Sequence, residues 1–319
     1  MTMKFEAAAK LIRTLIVLGY LLTAPSPATS QQPLSSTAPQ VSLSQASQHT
    51  PPSISQTQQR SDLQKQWWHH WLDGDLAPAI KVLQQLIELE SSLFGADSQR
   101  LVPRYETLSE LYLESGDMQQ AKTSIDRASQ ILRANYPSTS WQAVEADRKQ
   151  EVFKRMVAIP VADRQAIFDV NREVEQHYES LQFGEALMAA EKQARLIGEH
   201  FGERHPIWID AIATIDALHM ARGNWENVGP QLEKLYGLLE QFEHPDHPDF
   251  GRLLWLLANH ARLVGDPVAA LRYGSAAVEQ YERANATDDP GYAIAIGQYA
   301  TTLYDEGDLE QSIPILRKA

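Results

Sequence analysis

Cysteine is missing altogether from this 319-residue chain. Disulfides, thiolate metal sites, a cysteine nucleophile and lipid attachment through cysteine are thereby excluded, and stability has to come from packing. Positive charge is scarce too: 28 Lys and Arg stand against 41 Asp and Glu, a formal net charge of −13. A surface of that sign repels nucleic-acid phosphates and anionic lipid, so neither is expected as a partner. The one notable apolar run, "TLIVLGYLLTA" from Thr14 to Ala24, is shorter than the roughly 20 residues a membrane span needs. Catalytic templates are lacking as well. The chain has no His-Glu-x-x-His, no Gly-x-Ser-x-Gly, no phosphate-binding glycine loop and no dinucleotide fingerprint. No catalytic residue, metal ligand or cofactor is expected.

What is present begins with a leader. Lys4, Lys10 and Arg13 precede or flank the apolar run, and Ala28 and Ser30 offer small residues where a signal peptidase reads. Residues 1–30 therefore read as a signal peptide cleaved after Ser30, which predicts an exported, periplasmic or extracellular chain without a membrane span in its mature form. Residues 31–60 follow, rich in Gln, Ser, Thr and Pro, with no Asp, Glu, Lys or Arg before Arg60. Such a segment cannot bury enough surface to offset its ordering entropy, so it is expected to be a disordered tether.

From Ser61 onward the chain repeats itself. "GDLAPA" at Gly74, "GDMQQA" at Gly116, "GNWENV" at Gly223, "GDPVAA" at Gly265 and "GDLEQS" at Gly307 share one pattern, and three of the intervals equal 42 residues. Counting 42 back from Gly223 reaches Leu181, where "LQFGEA" keeps the pattern without its glycine. Glycine supplies a left-handed residue at the end of one helix, and Asp or Asn caps the next. Apolar residues lie 11, 8, 7 and 4 positions before each turn, as in Leu254, Leu257, Ala258 and Ala261. That spacing marks one helix face. Small or aliphatic residues follow 5, 9 and 12 positions after it, as in Ala121, Ile125 and Ala128. A second landmark, His205-Pro206, His247-Pro248 and Asp289-Pro290, also recurs every 42 residues. Proline is favoured in the first turn of a helix, so each pair predicts a helix start and makes "HPDH", His244 to His247, structural rather than metal-binding.

These features resemble tetratricopeptide repeats, and "FGERHPIWIDAIATIDALHMARGNW" from Phe201 resembles the longer kinesin-light-chain type found in bacteria. The resemblance implies an all-α fold, a right-handed superhelical solenoid of antiparallel helix pairs. It implies a non-catalytic scaffold that binds a protein or peptide partner on its concave surface. Gly116 and Leu181 are 65 residues apart rather than 42. The excess is read as a charged spacer helix within residues 139–160, ended by Pro160, between a first lobe of two repeats (61–138) and a second of four (161–319), the last incomplete. Some proteins of this kind carry a CHAT-type protease domain downstream. The alternative expectation is accordingly that the chain is the accessory front portion of a longer enzyme.

The stretch "QKQWWHHWLDGD", Gln64 to Asp75, concentrates three tryptophans and two histidines. The histidines are adjacent, so on a helix they diverge and cannot share a metal. On the turn at Gly74, Trp67 and His70 take packing positions. The resemblance implies that Trp68 and Trp71 face the groove. It likewise lines the second lobe's groove with Asn171, Glu175 and Tyr178, then Asp210, Ala213, Ala217 and Met220, then Arg252, Trp255, Asn259 and Arg262, and finally Thr301 and Tyr304. Asn259 and the two arginines would hold a peptide backbone or an acidic side chain. Groove-binding members often pair asparagines 10 and 9 positions before the turn; here only Asn171 matches.

Overall fold

The computed structural model describes residues 53–226, 228–287 and 289–317. The leader, its cleavage point and most of the expected tether lie outside these residues. Among the described residues there are thirteen α-helices and no strand. They are α1 (Ile54–Leu72), α2 (Leu76–Phe94), α3 (Val102–Ser115), α4 (Met118–Asn135), α5 (Trp141–Ala158), α6 (Val161–Glu179) and α7 (Phe183–Phe201). Then come α8 (Pro206–Ala221), α9 (Val228–Leu239), α10 (Pro248–Val264), α11 (Pro267–Arg283), α12 (Pro290–Asp305) and α13 (Leu309–Leu316).

The repeated hexapeptide is a chain reversal between paired helices. Gly74, Gly116, Gly223, Gly265 and Gly307 adopt φ between 80° and 87°, and Leu181 reaches 59° in the copy that lacks glycine. At all six turns the next residue donates its backbone N–H five residues back. The bonds run from Asp75 to His70, Asp117 to Tyr112, Gln182 to His177, Asn224 to His219, Asp266 to Ala261 and Asp308 to Leu303, at 2.8–2.9 Å. This closes the orphan carbonyls of the finished helix. Leucine is sterically strained in that backbone region, yet the turn survives.

The offsets from each turn also set burial. Ala79, Leu83 and Leu86, then Ala121, Ile125 and Ala128, then Val228, Leu232 and Leu235 are all buried in pair contacts. The His-Pro landmarks start α8 and α10, with proline in the first turn and the histidine as N-cap: His205 Nδ1 accepts from Ile207 N, and His247 Nδ1 from Asp249 N, both at 3.3 Å. Asp289 does the same for α12, accepting from Gly291 N at 2.7 Å.

Two expectations need correction. First, the chain is helical from Ile54, six residues before the predicted end of the tether. Ser53 and Gln56 form a capping box, Gln56 N donating to Ser53 Oγ at 3.2 Å and Ser53 N to Gln56 Oε1 at 2.9 Å. The added turn carries Arg60 into a buried ion-pair network with Glu90 (3.1 Å), which also meets Arg104 (3.0 Å). Second, α9 begins only at Val228, because Pro230 lacks an N–H and fits only the first turn of a helix.

The spacer is a helix, α5, as expected. Ser140 caps α5, and the helix ends ahead of Pro160, where the buried Arg164 donates to the carbonyls of Met156, Val157 and Ile159 at 3.2–3.4 Å. The chain then turns back so that α6 touches α1 and α3. Arg172 Nε donates to Trp71 O at 3.0 Å and its guanidinium pairs with Glu114, while Gln176 Nε2 donates to Leu72 O at 2.6 Å. The N-terminal repeats and the helix after the spacer thus close on each other.

Candidate functional site

The groove expected along the second half of the chain is mostly filled. Glu175, Tyr178, Met220, Trp255 and Asn259 are buried, between 0% and 4% exposed. Trp255 belongs to one apolar cluster with Ala213, Ala217, Met220, Ala295 and Ile296, so α8, α10 and α12 seal against one another through it. Small residues on that face let helices approach, and the space they leave is taken by neighbouring side chains rather than by solvent. Arg252 pairs with Asp210, and Asn259 Oδ1 accepts from Arg262 at 3.0 Å. Those arginines already have partners. Tyr304 and Thr301 are exposed on α12.

The remaining three candidates meet elsewhere. Trp68, Trp71 and Asn171 line a cavity of about 230 Å³ together with residues of α3, α4, α5, α6, α7 and the start of α8. The tryptophans form its end wall: Trp67 stands edge-on to Trp68 with centroids 5.7 Å apart, and Trp68 lies 5.0 Å from Trp71. All three are buried, Trp67 in the packing role expected of it. Val152, Phe153 and Met156 come from α5, Ile167 and Phe168 from α6, Ile197 and Phe201 from α7, and Ile207 from α8. None of these was legible from the repeat ruler, because the spacer falls outside it. A signal did exist: Val152, Phe153 and Met156 form an apolar edge inside an otherwise charged helix.

Polar groups on the wall are few and mostly committed. Glu106 pairs with Lys149 at 3.2 Å, Glu114 accepts from Trp71 Nε1 at 3.2 Å and pairs with Arg172, and Gln193 Nε2 donates to Asn171 Oδ1 at 3.0 Å. Glu110 differs. It lines the cavity while staying exposed to solvent, and it makes no hydrogen bond or ion pair with the described residues. Protein on several sides thins the water around it and raises its carboxyl to about 7, against the pull of Lys149 and with the push of Glu106.

The wall contributed by α5 is held by charges on its other side. Helix α5 runs across the loops that lead into α8, α10 and α12. Trp141 Nε1 donates to Ala284 O at 2.8 Å, Glu145 faces His247 Nε2 at 3.4 Å, Arg148 faces Glu243 at 3.4 Å, and Glu151 faces His205 Nε2 at 3.4 Å. The 42-residue landmark thereby acquires a second role, since each histidine caps a helix through Nδ1 and grips the spacer through Nε2. Glu145, Glu243 and His247 bring one ligand atom each within 4.8 Å, all buried, the spacing a metal triad would need. The donor set argues otherwise. Because His247 Nδ1 accepts the Asp249 N–H, its proton belongs on Nε2, where a metal would need a lone pair. Arg148 also occupies both Glu145 oxygens at 2.5 and 2.7 Å. The cluster is an ion-pair clasp. Burial opposes charge on His247, but Asp249, Glu145 and Glu243 raise its pKa. At the shallower His205 burial prevails over Glu151, and the pKa falls. Glu145, despite burial, is held well below the usual carboxylate range by Lys149 and Arg148.

No family pattern and no curated protein matches this sequence. Solved structures do resemble the chain, among them two of a Podosopora anserina putative kinesin light chain with nearly identical TPR-like repeats. One, a point-substituted form, is 13% identical with a TM-score of 0.33, over 72% of this chain and 95% of that one. The other is 14% identical with a TM-score of 0.29, over 72% and 92%. Overlap that partial leaves the fold resting on the chain's own turns and helix pairs. It is a TPR-like repeat fold. Among the described residues of this TPR-like array, no helix is long and apolar enough to cross a membrane.

Proposed function

We propose that the chain is an exported scaffold that holds a protein partner, and that the partner enters the cleft between α1, α3, α5, α6 and α7 rather than the face of α8, α10 and α12. TPR-like repeats suggest protein partners. The observation that carries the assignment is the cavity itself: an apolar wall drawn from seven helices, beside an expected groove whose side chains are mostly buried. Concave, largely apolar sites with few polar groups are where ligands bind. Export rests on the leader, residues 1–30.

A photocrosslinking amino acid at Phe168, in the cleft, and at Lys122, on the exposed outer side of α4, separates the alternatives in cells that make the full chain. Adducts of polypeptide mass are expected from position 168 and not from 122. Equal yields from both, or none from 168, would remove the cleft from consideration. Sequencing the exported chain's first residues checks the leader, with Gln31 as the expected start.

A further inference from the structure

The second helix of each pair carries a further mark. The sixth residue after each turn is, in order, Ile80, Lys122, Leu187, Gly229, Leu271 and Ile313. Where another pair follows directly, this residue is covered by it. Ile80 packs in the cluster that holds Leu108 and Leu111 of α3, and Leu187 in the cluster that holds Ala211, Ile215 and Leu218 of α8. Gly229 is covered so closely that a β-carbon there would stand 2.6 Å from His260 of α10. Leu271, ahead of α12, is half-buried. Lys122 breaks the series. It sits on α4, which is followed by the spacer rather than by a repeat, and its side chain is 56% exposed. An apolar or small residue therefore stands where a helix lands, and a charge where none does. Ile313 is of the first kind, yet no described helix covers it. It and Leu309, one turn earlier on α13, are 52% and 51% exposed.

We propose that this face of α13 receives an amphipathic helix of a partner protein, laid as the first helix of a following pair would be, with apolar residues at i, i+4 and i+7 against Leu309 and Ile313 and basic residues at its borders. The apolar spacing is that of Ala211, Ile215 and Leu218, which cover Leu187. An apolar helix face set into an apolar surface is a common mode of recognition. The basic border follows from charge. Asp305, Glu306, Asp308 and Glu310 flank the exposed pair, and Arg317 is the only basic residue between Tyr304 and Arg317. A second copy of this chain is a poor occupant for the same reason. Two α13 faces would set these acids against one another, and like charges across an interface cost affinity. Nor does α1 offer a complement: apart from Ile54 at its tip, every exposed residue of that helix is polar. The surface is separate from the cleft, to whose lining α13 contributes no residue.

The test is selection of displayed helices of about 18 residues, with Ala, Ile and Leu fixed at i, i+4 and i+7 and the other positions randomised. The targets are the full-length chain and its Ile313→Lys variant, which copies Lys122. Because Ile313 is half exposed, Ile313→Lys is expected to melt as the parent does, and Leu309→Ser serves as a second variant. Helices of net positive charge should emerge from the parent. The strongest, made as a free labelled peptide, should bind either variant at least tenfold more weakly, as loss of a central apolar contact does. Phe168→Ala, in the cleft, should leave its binding unchanged. Affinity should fall as salt is added, and Glu306→Gln with Glu310→Gln should flatten that dependence. The inference is overturned by no enriched helices, by enriched helices without net positive charge, by equal binding to the parent and both variants, or by binding that Phe168→Ala removes. Two further results would overturn it by naming another occupant. Dimerisation in sedimentation that Ile313→Lys abolishes would make it a second copy, and a photocrosslinker at position 313 that joins only to the chain's own polypeptide would make it a segment of the same chain.

Discussion

The face built by α8, α10 and α12 and the cleft walled by α3, α5, α6 and α7 are made from the same kind of helix, yet one is closed and the other open. Regular pairing brings α10 against α12 and α8, and Trp255, Met220 and Asn259 disappear between them. The spacer breaks that regularity. Helix α5 packs along α4, and α6 swings back to α1 and α3, so the helices around the gap cannot close it. Periodicity therefore fills space, and the interruption of periodicity makes a site.

The sharpest way to break the comparison is to truncate an aromatic in each region. Trp255→Ala should destabilise the chain by roughly 3–5 kcal/mol, as removal of a buried ring usually does. Phe168→Ala, on the partly open wall, should cost about 1 kcal/mol, since less surface returns to water. Chemical denaturation measures both, and equal losses would erase the distinction between filled and open.

Next in size is the clasp. Arg148→Ala leaves Glu145 and Glu243 facing each other without their shared cation, and loss of one partner from a buried ion pair costs about 3 kcal/mol. If α5 is a wall of the cleft, the variant should also weaken crosslinking from position 168. Stability unchanged within error would show that the spacer is not held by charge.

The smallest effect runs the other way. Leu181 sits at φ 59° where five sibling turns carry glycine. Leu181→Gly should raise stability by about 1 kcal/mol, relief of left-handed strain outweighing the extra flexibility of the unfolded chain. A lower melting temperature would mean that Leu181 makes a compensating contact.

The turns show why so much of the fold could be read in advance. A glycine, an acid and a small residue at fixed offsets encode a local event, and local events need no knowledge of distant partners. Leu181 was recoverable by counting alone. The capping box at Ser53 carried its own local signature, Ser-Ile-Ser-Gln, but lay in a stretch whose composition spoke for disorder. The site residues were less accessible for a different reason. Offsets from a turn say which way a side chain points, not whether another helix already stands there, so Trp255 and Asn259 were placed on the right face with the wrong surroundings. The clasp was beyond reach. Glu145 and His247 lie about a hundred positions apart in sequence, and nothing in either repeat predicts that a charged spacer folds back across the landmark loops.

That strut has a mechanical consequence. Stacked repeats normally touch only their neighbours and can fray one at a time. Trp141, Glu145 and Glu151 are anchored to three successive loops, so opening any one of them must shift a rod fastened to the other two. Amide exchange in α8, α10 and α12 should therefore rise and fall as one cooperative block, while α13, beyond the last anchor, exchanges on its own schedule.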